Sequence, residues 1–150
     1  MLSKKCKYAI HALVHMGHQP EEKFLIKEIS AACSIPKKFL ETILLELNRA
    51  GILSSKQGKS GGYFLRRSIR EINLAEVVRL FDGAIALVPC ATYKYYERCA
   101  ECKDEVTCSI RHAFLNIRNE TVEMLKKNTI DDLVKTENKL KLKGNKKNSF

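Results

Sequence analysis

Apolar side chains recur at helical spacing through the first fifty residues of the chain. Over residues 3–17 an apolar position returns every three or four residues, which predicts a helix with one buried face. That face comprises Cys6, Ala9, Ile10, Leu13 and Met16. A second, shorter helix is predicted over residues 27–33, with Ile29, Ala32 and Cys33 buried.

A third helix and a β-hairpin follow. Pro36 suits the first position of a helix and Gly51 suits the residue just beyond its end, so the third helix is predicted between them. Its buried face comprises Phe39, Leu40, Ile43, Leu44 and Leu47. Two short β-type runs, 52–55 and 62–66, flank the stretch GKSGG, which indicates a hairpin with a glycine-rich tip. Three helices and a basic hairpin predict a winged helix-turn-helix domain, in a mainly α chain with a small β-hairpin.

The second half of the chain is predicted to hold further helices on either side of a polar loop. Asn73 and Glu76 form a capping-box pattern that starts a helix over residues 74–81. A long helix begins near residue 105, and its apolar stripe suits a partner helix, most simply the same helix of a second subunit. The stripe comprises Ile110, Phe114, Ile117, Thr121, Met124 and Leu125. A short helix is expected around residues 130–135.

Composition and charge favour a nucleic-acid partner. The 150 residues carry a formal net charge of +10, and 45% of them are hydrophobic, which is enough for a folded core. Such an excess of basic residues favours a polyanion, and nucleic acid before an anionic membrane. No apolar run approaches the roughly 18 residues that span a bilayer, and histidines interrupt the N-terminal apolar stretch, unlike in a signal peptide. A cytoplasmic location with reduced cysteines is therefore expected.

A helix-turn-helix presents the N-terminal part of its second helix to the major groove. The polar side chains at that place are Lys37, Lys38, Glu41 and Thr42. Lysine binds guanine edges or phosphate, and glutamate accepts a hydrogen bond from cytosine N4. The hairpin tip is suited to phosphates or the minor groove, because its glycines allow close approach. The polar residues at or beside the tip are Lys56, Gln57, Lys59 and Ser60. For the helix lysines taken singly, a solvated surface position is the competing interpretation.

Four of the six cysteines crowd one stretch of the chain. They are Cys90, Cys99, Cys102 and Cys108. Thiols at this density indicate a metal site, an iron–sulphur site or a thiol switch. The spacing of Cys99 and Cys102 fits zinc, whereas the other two cysteines lack such spacing. Lys94, Arg98 and Lys103 lie near the thiols in sequence and favour thiolates, which keeps a thiol–disulfide switch open.

Three segments carry a family resemblance. They are LSKKCKYAIHALVHM, IKEISAACSIPKKFLETILLELNRAGILSSKQGKSGGYFLRR and INLAEVVRLFDG. Together with the cysteine loop and the long helix, to about residue 135, they are similar to the Rrf2 family of bacterial regulators. That group contains the IscR, NsrR, RsrR and CymR types. The hairpin with its SGGY is the most specific part of the resemblance.

The resemblance implies a winged-helix homodimer that binds pseudo-palindromic operators in double-stranded DNA. It implies dimerisation through the long C-terminal helix, in agreement with the apolar stripe. It also implies that Glu41 reads a base. The glycine-rich wing, which includes Gly61 and Tyr63, is expected to enter the minor groove.

The resemblance further implies a [2Fe-2S] or [4Fe-4S] cluster held by three cysteines of the loop. The family's Cys-x5-Cys element is present as Cys102 and Cys108. The preceding ligand is then Cys90 or Cys99, and either one thiol is spare or all four bind.

The resemblance also bears on a fourth ligand. Some members take it from the first helix of the other subunit, and others take it from just after the last cysteine. Lys7 and Arg111 occupy the matching positions here, which leaves the neighbouring His11 and His112 as the candidates.

The sequence therefore predicts a dimeric transcriptional regulator, most simply a repressor, whose cysteine loop senses redox state, iron–sulphur supply or nitric oxide through a cluster. The alternative is a regulator of the same fold that uses zinc, thiols or no cofactor. A thiol or metal enzyme is disfavoured, because the sequence offers no catalytic constellation. The predicted divisions are a winged helix-turn-helix domain (1–83), a sensor loop (84–108), a dimerisation helix with a short following helix (109–136) and a disordered basic tail (137–150).

Overall fold

The structure, a computed structural model, describes residues 1–58 and 61–147. Within those ranges the chain forms six α-helices and one two-stranded antiparallel sheet. The helices are α1 (Lys4–Gly17), α2 (Ile26–Cys33), α3 (Lys37–Arg49), α4 (Leu74–Phe81), α5 (Ser109–Lys127) and α6 (Ile130–Lys147), and the strands are β1 (Leu53–Lys56) and β2 (Gly62–Leu65). One 3₁₀ turn, Pro89–Ala91, lies in the loop between α4 and α5. No helix in the described ranges has both the length and the apolar character needed to cross a membrane.

The first helices begin and end where short-range interactions favour it. The hydroxyl of Ser3 accepts a hydrogen bond from the backbone N–H of Cys6 at 3.0 Å, which caps α1. Ser34 ends α2 in the left-handed conformation with φ of 54°, and Gly51, with φ of 73°, follows α3. Glycine adopts this conformation without a Cβ clash, so Gly51 turns the chain directly towards β1.

One hydrophobic core joins α1, α2, α3 and the base of the hairpin. Its fully buried large side chains include Leu13, Met16, Ile29, Ile35, Leu40, Ile43, Leu44, Leu47, Ile52 and Leu53. Burying a side chain of this kind contributes about 1.5–3 kcal/mol relative to leaving it exposed. The inward faces predicted for the first and third helices are therefore confirmed at most positions.

Two residues predicted in the core, Ala32 and Phe39, are exposed, and two others, Ile10 and Cys33, are half-buried. Phe39 is 41% exposed, and its ring meets that of Tyr8 edge-on at 5.7 Å. Because successive residues are rotated by about 100° around a helix, Phe39 lies at the border of the buried stripe of α3. Ala32 is exposed and Cys33 is half-buried, because α2 is short and directs only Ile29 fully into the core.

The hairpin is anchored near its tip to the segment between α1 and α2, and at its base to the hydrophobic core. β1 and β2 pair in register, with Lys56 opposite Gly62. Tyr63 exchanges two backbone hydrogen bonds with Phe24, at 2.8 and 2.9 Å, and this antiparallel bridge lies alongside β2 of the hairpin. A Cβ at position 62 would lie 2.8 Å from the carbonyl oxygen of Phe24, so this close approach requires glycine.

Helix α6 returns the chain to the winged-helix domain. The carboxylate of Asp132 accepts hydrogen bonds from the backbone N–H of Thr129 at 3.0 Å and from its hydroxyl at 2.6 Å, which caps the helix. The backbone N–H of Ile130 donates to the carbonyl oxygen of Ile72 at 2.9 Å. Ile130 and Val134 are buried in the same core as α1. The first turns of α6 thus belong to the winged-helix core.

The prediction of a disordered tail does not hold for residues 137–147, which continue α6 far beyond the predicted end near residue 135. The docked first turns start the helix, and residues rich in lysine and leucine then extend it at little cost. Glu137 supports this extension, because its carboxylate forms a hydrogen bond with the Nε2 of His18 at 2.9 Å and an ion pair with the Nζ of Lys141 at 2.7 Å.

Helix α5 presents an apolar face that no other described residue covers. Ile110 and Met124 are each 65% exposed on this face, and Ile117 is 48% exposed. They belong to the stripe that was predicted to meet a partner helix.

Candidate nucleic-acid interface and cysteine site

A groove of about 580 Å³ lies between α3 and the hairpin. The predicted DNA-facing residues that line it are Lys37, Glu41, Lys56, Gln57, Gly61 and Tyr63. Lys37 and Glu41 lie one helical turn apart on α3, so both side chains face the same groove. The groove therefore combines ammonium, carboxylate and amide groups, which are the groups that bind phosphates and base edges.

Two other predicted contact residues, Lys38 and Thr42, are not part of this lining. Lys38 and Thr42 are exposed on α3 but do not line the groove, because each follows a groove residue by one position and is rotated away from it. Lys59 and Ser60 lie outside the described residues.

Three polar residues of the groove were not predicted. They are Lys27 of α2, Asn48 of α3 and Ser55 of β1. The amide Nδ2 of Asn48 donates to the hydroxyl of Ser55 at 3.1 Å, which ties α3 to the hairpin. Asn48 follows Glu41 by seven residues, about two helical turns, so helical spacing was a signal that could have identified it.

Gly61 shapes the hairpin tip. Its backbone N–H donates to the carbonyl oxygen of Gly58 at 2.9 Å, which closes a turn. A Cβ at position 61 would collide with the carbonyl oxygen of Lys56 and lie 2.8 Å from that of Gly58. The tight turn beside the groove therefore requires glycine at position 61.

The four loop cysteines line one cavity of about 460 Å³ before α5. Cys90 is buried in the 3₁₀ turn, Cys99 is exposed, and Cys102 and Cys108 are half-buried. The backbone N–H of Cys102 donates to the carbonyl oxygen of Cys99 at 3.2 Å, so this pair forms a turn. Cys108 is the N-cap residue of α5. The structure thus brings together all four cysteines that the sequence singled out.

The thiols differ in acidity because their neighbours differ. The backbone N–H of Arg111 donates to the sulphur of Cys108 at 3.4 Å and lowers the pKa of this thiol. Burial raises the pKa of Cys102, and its hydrogen bond to Cys108 adds to the shift. The thiol of Cys99 donates to the carboxylate of Glu101 at 2.9 Å, which raises the pKa of Cys99. Among these three thiols, Cys108 ionises most readily.

Two arginines of α5 hold the start of the loop. The Nε of Arg111 donates to the carbonyl oxygen of Cys90 at 3.2 Å. The Nη1 of Arg118 donates to the carbonyl oxygen of Ala91 at 2.6 Å, and its guanidinium lies 4.0 Å from the ring centroid of Tyr93. Arg111 therefore orients the backbone of Cys90 from the first turn of α5.

The candidate histidine ligands do not line the cysteine cavity within one protomer. His11 is exposed on α1, and His112 is exposed in the first turn of α5. Lys7 is also exposed on α1. A role for His11 as a ligand supplied by a partner subunit stays a prediction.

The chemistry of the donor set fits an iron–sulphur cluster. Cysteine thiolates are the standard ligands of such clusters, and four cysteine sulphurs border one cavity. Within the described part of the chain, no group of three or more His, Cys, Asp or Glu side chains is already arranged to hold a metal ion. Several thiols would therefore share a cluster only if the loop closed around it.

The winged helix-turn-helix fold and its basic groove define a DNA-binding transcriptional regulator. The chain belongs to the Rrf2 family, because the family model described as "Iron-dependent Transcriptional regulator" matches residues 2–136.

Two relatives that are named as transcriptional regulators agree with this assignment. The chain is 36% identical over 138 residues to the rrf2-like HTH-type transcriptional regulator of Rhodobacter capsulatus, covering 89% of this chain and 92% of that protein. It is 31% identical over 134 residues to the HTH-type transcriptional regulator NsrR of Geobacillus kaustophilus, covering 89% of this chain and 88% of that protein. These relatives are regulators rather than enzymes.

Solved structures share the fold. The structure of CymR, the global cysteine regulator of B. subtilis, superposes with a TM-score of 0.73 at 23% identity, covering 91% of this chain and 97% of CymR. IscR of T. potens superposes with a TM-score of 0.69 at 22% identity, covering 91% of this chain and 88% of IscR. The winged-helix fold predicted from the sequence is confirmed.

Proposed function

We propose that this regulator is a dimer whose cysteine loop holds an iron–sulphur cluster and senses redox state, iron–sulphur supply or nitric oxide. The observation that carries the proposal is the convergence of Cys90, Cys99, Cys102 and Cys108 on one cavity. The iron-dependent description of the family and the similarity to NsrR support it. When bound, the cluster would supply one-electron redox chemistry at a site open to solvent.

The cysteines have distinct roles in this proposal. Cys102 and Cys108 are the first candidate ligands, because both line the cysteine cavity, their thiols influence each other's pKa, and the pKa of Cys108 is lowered. Cys90 is the candidate for the third, since its backbone is fixed by Arg111. Cys99 lies on the exposed side of the loop and provides either a fourth thiolate or a spare thiol.

The groove between α3 and the hairpin is the proposed DNA interface. Lys37 and Glu41 would face base edges in the major groove, and Lys56, Gln57 and the tip at Gly61 would follow the backbone or the minor groove. Support comes from the excess of positive charge, which also attracts DNA without regard to sequence.

A second copy of the chain is the proposed partner of α5. The exposed apolar face with Ile110, Ile117 and Met124 is suited to the same face of another protomer. Light scattering should then report a molar mass twice the chain's 17.1 kDa. Replacing Ile117 by Glu is expected to shift the mass towards the monomer, whereas an unchanged dimer would place the contact elsewhere.

In this proposal, α5 transmits a change in the cysteine loop to the winged-helix domain, because the helix is linked to both. Its first turn contains Arg111, which contacts Cys90 and Cys108. Its other end is tied to the winged-helix domain, where the backbone N–H of Leu74 donates to the carbonyl oxygen of Asn128 at 2.9 Å. A change in the loop would therefore move α5 against the domain that carries α3. Half-sites are about 34–36 Å apart, so a small rotation changes operator affinity.

Anaerobic purification of the full chain tests this proposal. Visible absorption, together with iron, sulphide and zinc assays, identifies the bound group. DNA affinity is then compared between cluster-loaded and cluster-free protein, with an expected difference of about tenfold or more, equivalent to about 1.4 kcal/mol. Changing Cys90, Cys102 and Cys108 together to Ser should abolish the difference.

Cys33→Ser is the matched control, because Cys33 lies outside the loop on α2. It should keep both the cluster and the response. Equal DNA affinities with and without the cluster would contradict sensing, and stoichiometric zinc without iron would favour the zinc alternative.

A further inference from the structure

A second cavity lies on the other side of the cysteine loop. It has a volume of about 530 Å³ and is lined by the C-terminal turn of α4, residues 83–86, residues 92–95 and the C-terminal half of α5. It shares no lining residue with the cysteine cavity. Neither the proposed DNA interface nor the proposed cluster site uses it.

Arg118 of α5 contributes a buried cation to this cavity. It is 6% exposed, and no other charged side chain is buried in the part of the chain that the structure describes. Its guanidinium donates to the carbonyl oxygen of Ala91 at 2.6 Å and to the side-chain oxygen of Asn119 at 2.6 and 3.2 Å, and it stacks on Tyr93. All of these partners are uncharged. No described carboxylate lies within 4 Å of it, since it takes part in none of the ion pairs.

The lining adds further positive charge. Arg79, Lys94 and Lys126 border the cavity together with Arg118, whereas Glu123 is the single carboxylate in the lining. Glu123 is already engaged by the Nζ of Lys126 at 2.8 Å. A buried cation without a counter-charge is costly, and an oxyanion at a guanidinium forms charge-assisted, often bidentate, hydrogen bonds.

We propose that this cavity binds a small metabolite through a carboxylate or phosphate group, with Arg118 as the buried counter-charge and Arg79 and Lys94 at the rim. Tyr93 and Tyr95 supply ring surface beside the charged groups, which suits a small organic anion rather than a polymer. The site differs from the groove at α3 in position and in being lined in part by the cysteine loop.

Occupancy of this cavity is linked to the loop. Arg118 contacts the carbonyl of Ala91, which directly follows Cys90. An anion that draws the guanidinium towards the cavity would therefore alter the support of the 3₁₀ turn that contains Cys90. Binding of the metabolite would then be a second signal that acts on the same loop, whether or not the loop holds a cluster.

The test uses the full chain with inorganic phosphate and citrate as the probes. Calorimetric titration and thermal unfolding are measured at constant ionic strength, with chloride as the reference salt. Saturable heat and a rise in Tm that follows the occupancy are expected for at least one of the two probes, since a ligand of the native state stabilises it. Phosphate and citrate distinguish a phosphate ligand from a carboxylate one.

Three variants locate the binding. The double change Arg79→Gln with Lys94→Gln, at exposed rim positions, should weaken binding by about tenfold or more through loss of charge-assisted hydrogen bonds. Arg118→Gln should abolish it, and the rim variant keeps the test decisive if that change unfolds the chain. Lys135→Gln on α6 removes an exposed charge outside the lining and should bind as the wild type. Unsaturable responses to both probes, or equal affinity of the rim variant and the wild type, would overturn the proposal.

Discussion

The backbone N–H of Arg111 donates a hydrogen bond to the sulphur of Cys108 at 3.4 Å. Cys108 is the N-cap of α5, so its sulphur lies at the positive end of the helix dipole. This contact lowers the pKa of Cys108, whereas the other half-buried loop thiol, Cys102, has a raised pKa. The loop therefore contains thiols of unequal reactivity before any group binds there.

Alkylation of reduced, iron-free protein should reveal this inequality. Because its pKa is lowered, Cys108 becomes a thiolate at lower pH than Cys99 or Cys102, so its iodoacetamide reaction should increase first between about pH 6 and pH 9. Cys6 is the internal control, because burial raises its pKa to about 11 and it should react only after unfolding. Mass spectrometry of peptides gives the rate at each site. If Cys102 reacted ahead of Cys108, the proposed effect of Arg111 would be wrong.

Lys37 and Glu41 should affect DNA binding in different ways. Lys37→Gln removes a charge that is suited to phosphate or guanine and should weaken binding to all sequences, with a salt slope smaller by about one. Glu41→Gln should instead relax discrimination at one base pair by about 1–3 kcal/mol. Fluorescence anisotropy with operator and random duplexes at several salt concentrations separates the two effects.

The control for both changes is Thr42→Ser, an exposed position of α3 outside the groove lining. It should leave affinity and discrimination nearly unchanged. An equal loss on operator and random DNA after Glu41→Gln would argue against base reading by this residue.

Gly61→Ala should damage the wing while sparing the core. The added Cβ collides with the carbonyl oxygen of Lys56, so the turn must open, at a backbone cost of about 1–3 kcal/mol. The buried residues of the helices are not involved, so Tm should fall by no more than about 2–4 °C for each kcal/mol of this cost, whereas DNA affinity should fall clearly. Gly144→Ala is the matched control, because a Cβ there meets nothing within 4 Å. Normal DNA binding by Gly61→Ala would remove the wing tip from the interface.

The helices and the hairpin could be predicted because their signals are local. The apolar spacing of α3, the asparagine cap of α4 and the glycines of the hairpin each depend on residues close in sequence. The Oδ1 of Asn73, for example, accepts from the backbone N–H of Glu76 at 3.1 Å, as the capping pattern indicates. The carboxylate of Glu76, however, pairs with Arg67 at 2.6 Å, a partner that the local pattern could not identify.

Contacts between distant segments could not be predicted in the same way. The docking of α6 depends on glycine at position 17, because a Cβ at that position would lie 3.0 Å from the side chain of Val134. The burial of Arg118 depends on the path of the loop, since its spacing on α5 resembles that of a solvated residue. Clustering of the cysteines was visible in the sequence, but the fixing of Cys90 by Arg111 required the fold.

Removing residues 139–150 should separate the two roles of α6. The contacts that dock the helix, Ile130 and Val134 in the core and Glu137 with His18, all precede the cut, so the folded domain should keep its Tm within a few degrees. The removed segment carries five lysines and no acidic residue. It should therefore contribute attraction to phosphates, and its loss should weaken binding to operator and random DNA about equally, with a smaller salt slope.

Fluorescence anisotropy on both duplexes provides the measurement. A full-length chain with the same lysines changed to Gln separates the effect of charge from that of helix length. A selective loss of operator binding would instead show that this segment contributes to sequence recognition.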